Sequence, residues 1–361
     1  MRDPTCQRGF SLIELLVAAA VFTSAAALLF HFASRSQGLS ASQPEAADVN
    51  QRLRVAVAMM QRDLINAGAG PVHGLAGRTL ANHLPPIVPA RTGARAADPE
   101  GSAFVDRISV TYVPEEGWSA TLASDMAAPD DVLTVTTPAG CPGAGICGFV
   151  QGSRAAIVDV ERLGGYELFT VTDVAGGLAH GAPNPPFTRL YPSESSVIMP
   201  IVQRVYYHDA STNRLMLYDG YQGDLPLVDN VVSLRFTYFA DPNPSSVAPP
   251  ADGTGNCAYA EGAPPVSLLQ PLPGLTLVPL TPQQMTDGPF CGMASGRFDA
   301  DLLRVRRVRV TIRVQAALDQ LRGSGRNFAN AGTAPTVEHT VKDFEVTFDV
   351  APRNLSTRGD P

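Results

Sequence analysis

The sequence predicts an α+β protein, in which a long N-terminal helix precedes a β-rich, mainly antiparallel globular domain. Residues 10–30 form an apolar run, and residues 49–64 carry apolar side chains at spacings of three and four. Alternating or β-branched runs begin near residue 104. The 32 Gly and 31 Pro among 361 residues are too many for a helical bundle and, without a fixed period, do not indicate collagen.

Composition and charge argue against two classes of protein, intrinsically disordered chains and general nucleic-acid-binding proteins. The chain is 45% hydrophobic, which supplies enough apolar surface for a core and disfavours intrinsic disorder. The net charge is −7, and Lys342 is the single lysine. A protein that neutralises phosphates should be basic, so general nucleic-acid binding is disfavoured.

The apolar run is long enough to cross a membrane, because roughly 20 helical residues span a bilayer core of about 30 Å. Arg2 and Arg8 precede it, and this positive flank predicts that the residues after Phe30 are translocated. A cleaved secretory signal has a shorter apolar core. A plain signal anchor accounts for the length but not for Glu14, since a charge inside the bilayer costs about 2.5–3.5 kcal/mol.

Residues 9–17, GFSLIELLV, closely resemble the class III signal of type IV prepilins. The resemblance implies a leader at 1–9 that is cut after Gly9, a methylated N-terminus at Phe10, and a Glu14 carboxylate that pairs with the α-amine of a neighbouring subunit. It implies prepilin peptidase, other major and minor pilins and an inner-membrane assembly platform as partners. The pairing is physically reasonable because a buried carboxylate must find a cation or become neutral, and residues 10–30 contain no cation.

Two helices are expected within the N-terminal region, a membrane helix at 10–33 and an amphipathic helix at 44–68. The stretch 37–43 is poor in helix formers, and Ser42 followed by Pro44 suits the start of a new helix. Gly68 and the following Gly-Pro pair should end it. The apolar stripe of this helix, expected to pack on the body, is Val49, Leu53, Ala56, Met60 and Leu64. A separate partner-binding helix is the alternative.

The remaining residues, 69–361, are expected to form a β-rich domain. The predicted strands are 104–113, 131–137, 155–160, 166–174, 197–208, 214–219, 228–239, 302–315 and 337–350. A hairpin is expected to turn at 209–213. The connection at 241–300 contains eleven prolines and is either a surface excursion fastened to the body or partly disordered.

The C-terminal half extends the resemblance within the same family. Residues 226–238, 305–314 and 344–355 are similar to the large minor pilins of the W type. The J-type pseudopilins of type II secretion share this general plan.

Cysteine usage favours disulfides. Removal of the leader removes Cys6 and leaves four cysteines in a chain exported to an oxidising space. Three pairings are open, of which sequential order favours Cys141–Cys147 with Cys257–Cys291. A zinc site is the alternative, but the cysteine spacing and nearby histidines that it needs are missing.

No catalytic motif is present, and the six histidines are scattered, so we expect no enzymatic activity, no cofactor and no metal site. Residues 219–224 could offer oxygens to calcium, although a turn between strands fits them better. The arginines of 304–313 form either a basic stripe for DNA or, as net acidity favours, a solvated strand face.

These observations predict a structural subunit with one membrane-spanning helix and a periplasmic body. The expected role is a minor pilin that helps to initiate or cap a type IV pilus. A type II secretion pseudopilin and a membrane-anchored adhesin or DNA-uptake subunit are the alternatives.

Overall fold

The computed structural model describes residues 11–71, 79–93, 96–182, 184–220, 223–243, 249–250, 252–322 and 341–356, with the backbone alone at 34–41. The chain divides into two compact units. One comprises Met1–Gln51 with Gln315–Asp343, and the other comprises Arg52–Val314 with Phe344–Pro361. The predicted α+β class, with an N-terminal apolar helix and a mostly antiparallel β domain, is confirmed.

The N-terminal helix α1 runs without a break over Leu12–Asn66, so the predicted pause at 37–43 is wrong. Pro44 lies inside the helix, where proline removes one backbone hydrogen bond and disfavours helix by about 3 kcal/mol. A run rich in the strong helix formers Ala and Leu lies upstream at 12–33, and a buried amphipathic segment follows Pro44. Because packing supplies most helical stability, both flanks favour continuation of the helix through a locally unfavourable sequence.

The apolar stripe of α1 is buried, since its five predicted residues are at most 3% exposed. The helix ends two residues before Gly68, which adopts a φ of +77°. A Cβ at this glycine would lie 2.9 Å from Leu355 Cδ2 and 3.1 Å from Pro86 Cγ. The turn therefore requires glycine for both its conformation and its space.

The described residues contain eighteen strands, followed by a short helix α2 at Arg353–Ser356. In chain order the strands are β1 (Ile87–Val88), β2 (Arg107–Tyr112), β3 (Ala120–Leu122), β4 (Val135–Thr136), β5 (Arg154–Asp159), β6 (Tyr166–Thr170), β7 (Ser196–Pro200), β8 (Val202–Asp209), β9 (Arg214–Tyr218), β10 (Asp224–Asp229), β11 (Val231–Ala240), β12 (Tyr259–Ala260), β13 (Val266–Ser267), β14 (Val278–Leu280), β15 (Phe290–Cys291), β16 (Phe298–Asp299), β17 (Val305–Val314) and β18 (Phe344–Val350).

Three antiparallel sheets form the body. The first has the order β1-β2-β8-β9-β10, the second β14-β11-β17-β18 and the third β4-β3-β7-β5-β6. Two small ribbons, β12-β13 and β15-β16, lie within the 241–300 excursion. The β8–β9 hairpin turns at 209–213 as predicted, with Asp209 opposite Arg214.

Two predicted strands are each divided between two sheets. The chain leaves the third sheet after β7 and enters the first with β8, so 197–208 is not one strand. It passes from β10 in the first sheet to β11 in the second at Asn230, whose φ is +59°. Asparagine tolerates this left-handed conformation better than most residues, which permits an abrupt change of direction.

The other differences are local. Residues 300–304, which include the predicted start of the 302–315 strand, form a 3-10 turn, and the short strands of the excursion were not predicted. The first part of the predicted strand 337–350, residues 337–340, lies outside the described residues.

The third sheet has apolar clusters on both faces, which follows from the two-residue period of β5. Ala155 and Ile157 belong to one cluster with Phe169, whereas Ala156 and Val158 belong to the other with the 80–84 turn. Burial on both faces explains why β5 has a continuous run of apolar residues rather than an alternating pattern.

Candidate assembly segment and surfaces of the body

The N-terminal part of α1 is a candidate membrane span. Leu12–Ala33 comprises 22 residues with a mean hydropathy of 2.2, none of them buried in the structure. Phe22 and Phe30 are 74% and 81% exposed. Exposed aromatic and aliphatic side chains at this density require an apolar environment, which a bilayer or neighbouring apolar helices provide.

The polar groups of this span are mostly satisfied within the helix. The Thr23 hydroxyl donates to the carbonyl of Ala19 at 2.9 Å, and the Ser24 hydroxyl donates to that of Ala20 at 2.8 Å. Such back-bonding makes both residues compatible with a lipid environment. Glu14 differs from them because its side chain is a carboxylic acid, which lies in the first helical turn.

Glu14 lies where an intersubunit contact could reach it. The backbone N–H of Ser11 donates to its Oε2 at 3.3 Å, so the carboxylate bends towards the N-terminal end of the helix. This is the end at which an α-amine at Phe10 would stand after cleavage. Gly9 and Phe10 themselves lie outside the described residues.

A second carboxylate, that of Asp63, connects the C-terminal part of α1 to the body. This residue was not identified from the sequence. It is fully buried beside the apolar stripe. The Tyr206 hydroxyl donates to Oδ2 at 2.5 Å and the Tyr112 hydroxyl to Oδ1 at 3.1 Å. Tyr112 lies on β2 and Tyr206 on the adjacent β8, so Asp63 connects the helix to two strands of the first sheet.

Both tyrosines remain protonated donors at neutral pH. Burial, followed by the nearby Asp63 carboxylate, raises the pKa of Tyr112 to about 12, and the same causes raise the pKa of Tyr206. Arg62 Nε lies 3.4 Å from Asp63 Oδ1 on a largely exposed side chain. The sequence signal for this site is the spacing of Asp63, three residues after Met60 and seven after Ala56, which places a carboxylate on the apolar stripe of the helix.

The four cysteines of the body are paired in the order that the sequence favours. Cys141 bonds to Cys147, and Cys257 bonds to Cys291, with Cα–Cα distances of 5.1 and 5.2 Å. The second bond joins two points of the 241–300 excursion and closes a loop within it.

Arg304 fastens the excursion to the second sheet and is not a surface cation. It is 1% exposed, and its Nη1 lies 2.6 Å from Asp301 Oδ1. Its other donors reach carbonyl oxygens of the excursion, those of Pro242 at 3.0 Å and Gln270 at 2.8 Å. The expectation of a fully solvated arginine face is therefore wrong at this position.

The arginines of β17 itself do not form a continuous free patch. Arg309 makes a bidentate contact with Asp349 at 2.7 and 3.0 Å. The Arg307 guanidinium lies over the Phe239 ring at 4.3 Å, and Arg313 is 1% exposed. Since DNA binding depends on free cations, this strand is a poor phosphate-binding surface.

The 219–224 turn connects β9 to β10, and its residues 221–222 lie outside the described part of the chain. Within the described residues no three or more His, Cys, Asp or Glu side chains are grouped as metal ligands.

Comparison with known proteins identifies the N-terminal segment. Residues 4–30 match the prokaryotic N-terminal methylation motif. No curated protein and no solved structure matches the chain. The motif and the apolar helix together indicate a membrane-anchored type IV prepilin-like protein, either pilin-like or a pseudopilin, and imply processing by prepilin peptidase and assembly with other pilins.

Proposed function

We propose that this protein is a minor pilin that helps to initiate or cap a type IV pilus. Its leader, 1–9, is removed, and α1 enters the fibre through its apolar half. The body occupies the periplasm before assembly and the pilus afterwards. The role is structural and not catalytic. The match of residues 4–30 to the N-terminal methylation motif is the observation that carries this proposal.

The large size of the body supports the role of a minor pilin. A major pilin repeats along a helical lattice, so each body must fit several copies of itself. Here the body comprises three sheets and a long excursion, which contains its own disulfide and is held to the second sheet by Arg304. Such a body fits better at an end of the fibre, where fewer neighbours surround it.

The paired arginines of β17 argue against the DNA-uptake alternative. Arg309 is paired with Asp349, Arg313 is buried, and Arg304, in the turn before the strand, is buried against Asp301, so few of these arginines offer free positive charge to a phosphate. A structural subunit needs no such charge.

The test is quantitative proteomics of sheared fibres from the native host. We expect few copies of this chain for each copy of the most abundant pilin. Stoichiometry near that of the major pilin would contradict the minor role, and cells that secrete proteins but assemble no pilus would indicate a pseudopilin instead.

A further inference from the structure

The outer edge of β18 differs from the other sheet edges of the described residues. β1 and β4 have two residues each, β14 contains Pro279, and β10 contains Pro226 and a bulge. The edge of β6 is capped, since the Asn184 side chain bonds both the N–H and the carbonyl of Thr170 at 2.9 and 2.7 Å. β18 has seven residues in unbroken register with β17 and contains no proline.

The backbone groups on this edge can be identified from the register. The Phe236 N–H of β11 donates to the Val105 carbonyl at 2.7 Å, so the backbone of Phe236 faces away from β17. Its partner Val310 therefore faces β18, where it is opposite Phe348. Since successive residues point to opposite sides, the N–H and carbonyl groups of Glu345, Thr347 and Asp349 point outwards. Within the described part of the chain no backbone partner meets these groups.

The side chains of β18 also leave a surface incomplete. Phe344, Val346 and Phe348 are only half-buried, although the residues beside them on β17 are buried. The apolar face of the second sheet thus continues onto β18, where the described residues cover it only in part. Natural sheets protect such edges with proline, bulges, lysine or a covering segment, and the described edge of β18 has none of these.

We propose that the edge of β18 binds an extended strand of another fibre subunit by strand addition. Main-chain hydrogen bonds to Glu345, Thr347 and Asp349 would supply affinity, and alternate apolar side chains of the partner would extend the apolar row of β18. The inference rests on the proposed function only in naming a fibre subunit as the donor of the strand.

The negative charges on β18 favour a basic strand of a different subunit over a second copy of this chain. In an antiparallel pair of two β18 strands centred on Thr347, Glu345 of one copy would stand opposite Asp349 of the other. Like charges directly opposite are destabilising, which disfavours a second copy. Asp349 already contacts Arg309, whereas no ion-pair partner is described for Glu345. The partner strand therefore carries a lysine or arginine opposite Glu345.

The first experiment uses the full chain in detergent and a synthetic nine-residue peptide that alternates valine with lysine and threonine. Hydrogen exchange should be fast at the amides of Glu345, Thr347 and Asp349 in the free protein. The peptide should slow it by at least about tenfold, in line with one added hydrogen bond per amide. Protection of these amides in the free protein, or no effect of the peptide, would overturn the proposal. A peptide N-methylated at alternate residues should not bind.

Two substitutions on β18 separate the contribution of charge to peptide binding from the contribution of backbone hydrogen bonds. Glu345→Lys should weaken binding of the basic peptide about fivefold, whereas Glu115→Lys, in the exposed turn after β2, should leave it unchanged. Thr347→Pro removes an outward N–H and should abolish binding. Equal affinity of the two lysine variants, or crosslinked dimers through β18, would contradict the proposal. These measurements need no pilus, so they are independent of the copy number that tests the proposed function.

Discussion

At the scale of single residues, two carboxylates on α1 have opposite environments. Glu14 is exposed in an apolar segment, whereas Asp63 is buried and finds its donors in the same body. The first was predictable because a charge in an apolar run stands out. The second was hidden, since its tyrosine donors are 49 and 143 residues away in sequence.

Substitution of Asp63 should destabilise the body. Asp63→Ala leaves the Tyr112 and Tyr206 hydroxyls buried without an acceptor, and we expect a loss of about 3 kcal/mol in the free energy of unfolding. Asp63→Asn retains one carbonyl oxygen and should lose less. Urea titration of the full chain in detergent measures both, with Arg54→Ala on the exposed face of the same helix as control. A loss equal to that of the control would contradict the role of Asp63.

Protonation of the buried His180 should make the free energy of unfolding of the body decrease in acid. Its Nε2–H donates to the Asp131 carbonyl at 2.9 Å, and its ring stacks on Phe187 at 3.9 Å. Burial lowers the pKa of His180 below its usual 6.5. The unfolded chain therefore takes up the proton first as the pH falls below about 6.5, and stability decreases from there towards the lower folded-state pKa.

The measurement for His180 is the urea midpoint at pH 7 and pH 5. Wild type should lose stability over this interval, and His180→Phe, which keeps an aromatic ring but cannot be protonated, should lose less. An equal decrease in both proteins would assign the acid sensitivity to other groups.

At the scale of elements, the sequence pattern predicted most strands but not the points at which the chain changes sheets. Alternation of apolar residues identifies β9, β11 and β17, and a continuous apolar run identifies β5, because burial imposes both patterns. The divisions at Ile201 and Asn230 depend on which sheet covers which face, and this is decided by contacts distant in sequence. The continuity of α1 past Pro44 has the same origin, since packing outweighs local propensity.

The two disulfides should contribute unequally. The Cys257–Cys291 bond closes a loop of 35 residues, counted from a separation of 34, and the Cys141–Cys147 bond closes a far shorter one. Loop entropy gives about 4 kcal/mol for the first and about 2 for the second. Cys257→Ser should thus lower the free energy of unfolding more than Cys141→Ser. Peptide mapping without reductant should find both pairs, and crossed pairs would contradict this domain layout.

At the scale of the whole molecule, the sequence located the assembly segment better than the surfaces of the body. The N-terminal pattern is contiguous, so its glycine, apolar run and glutamate could be recognised together. The edge of β18 could not be found in this way, because whether a strand lies at an edge depends on the sheet order. Arg309 of β17 shows the same limit, since its partner Asp349 lies on β18, 40 residues away in sequence.

Glu14 should affect assembly without affecting export. Residues 10–30 offer no cation, so an uncompensated carboxylate costs about 2.5–3.5 kcal/mol in the membrane. We expect insertion beside another pilin to bring an α-amine to Glu14 and to remove this cost, so that entry into the fibre becomes favourable. Glu14→Ala should therefore be exported and cleaved normally, with N-methyl-Phe10 as its first residue by mass spectrometry, yet initiate few fibres. Leu16→Ala, in the same span, should initiate them normally. Normal fibre number with Glu14→Ala would contradict the pairing role, and an intact Met1 in the wild type would contradict processing after Gly9.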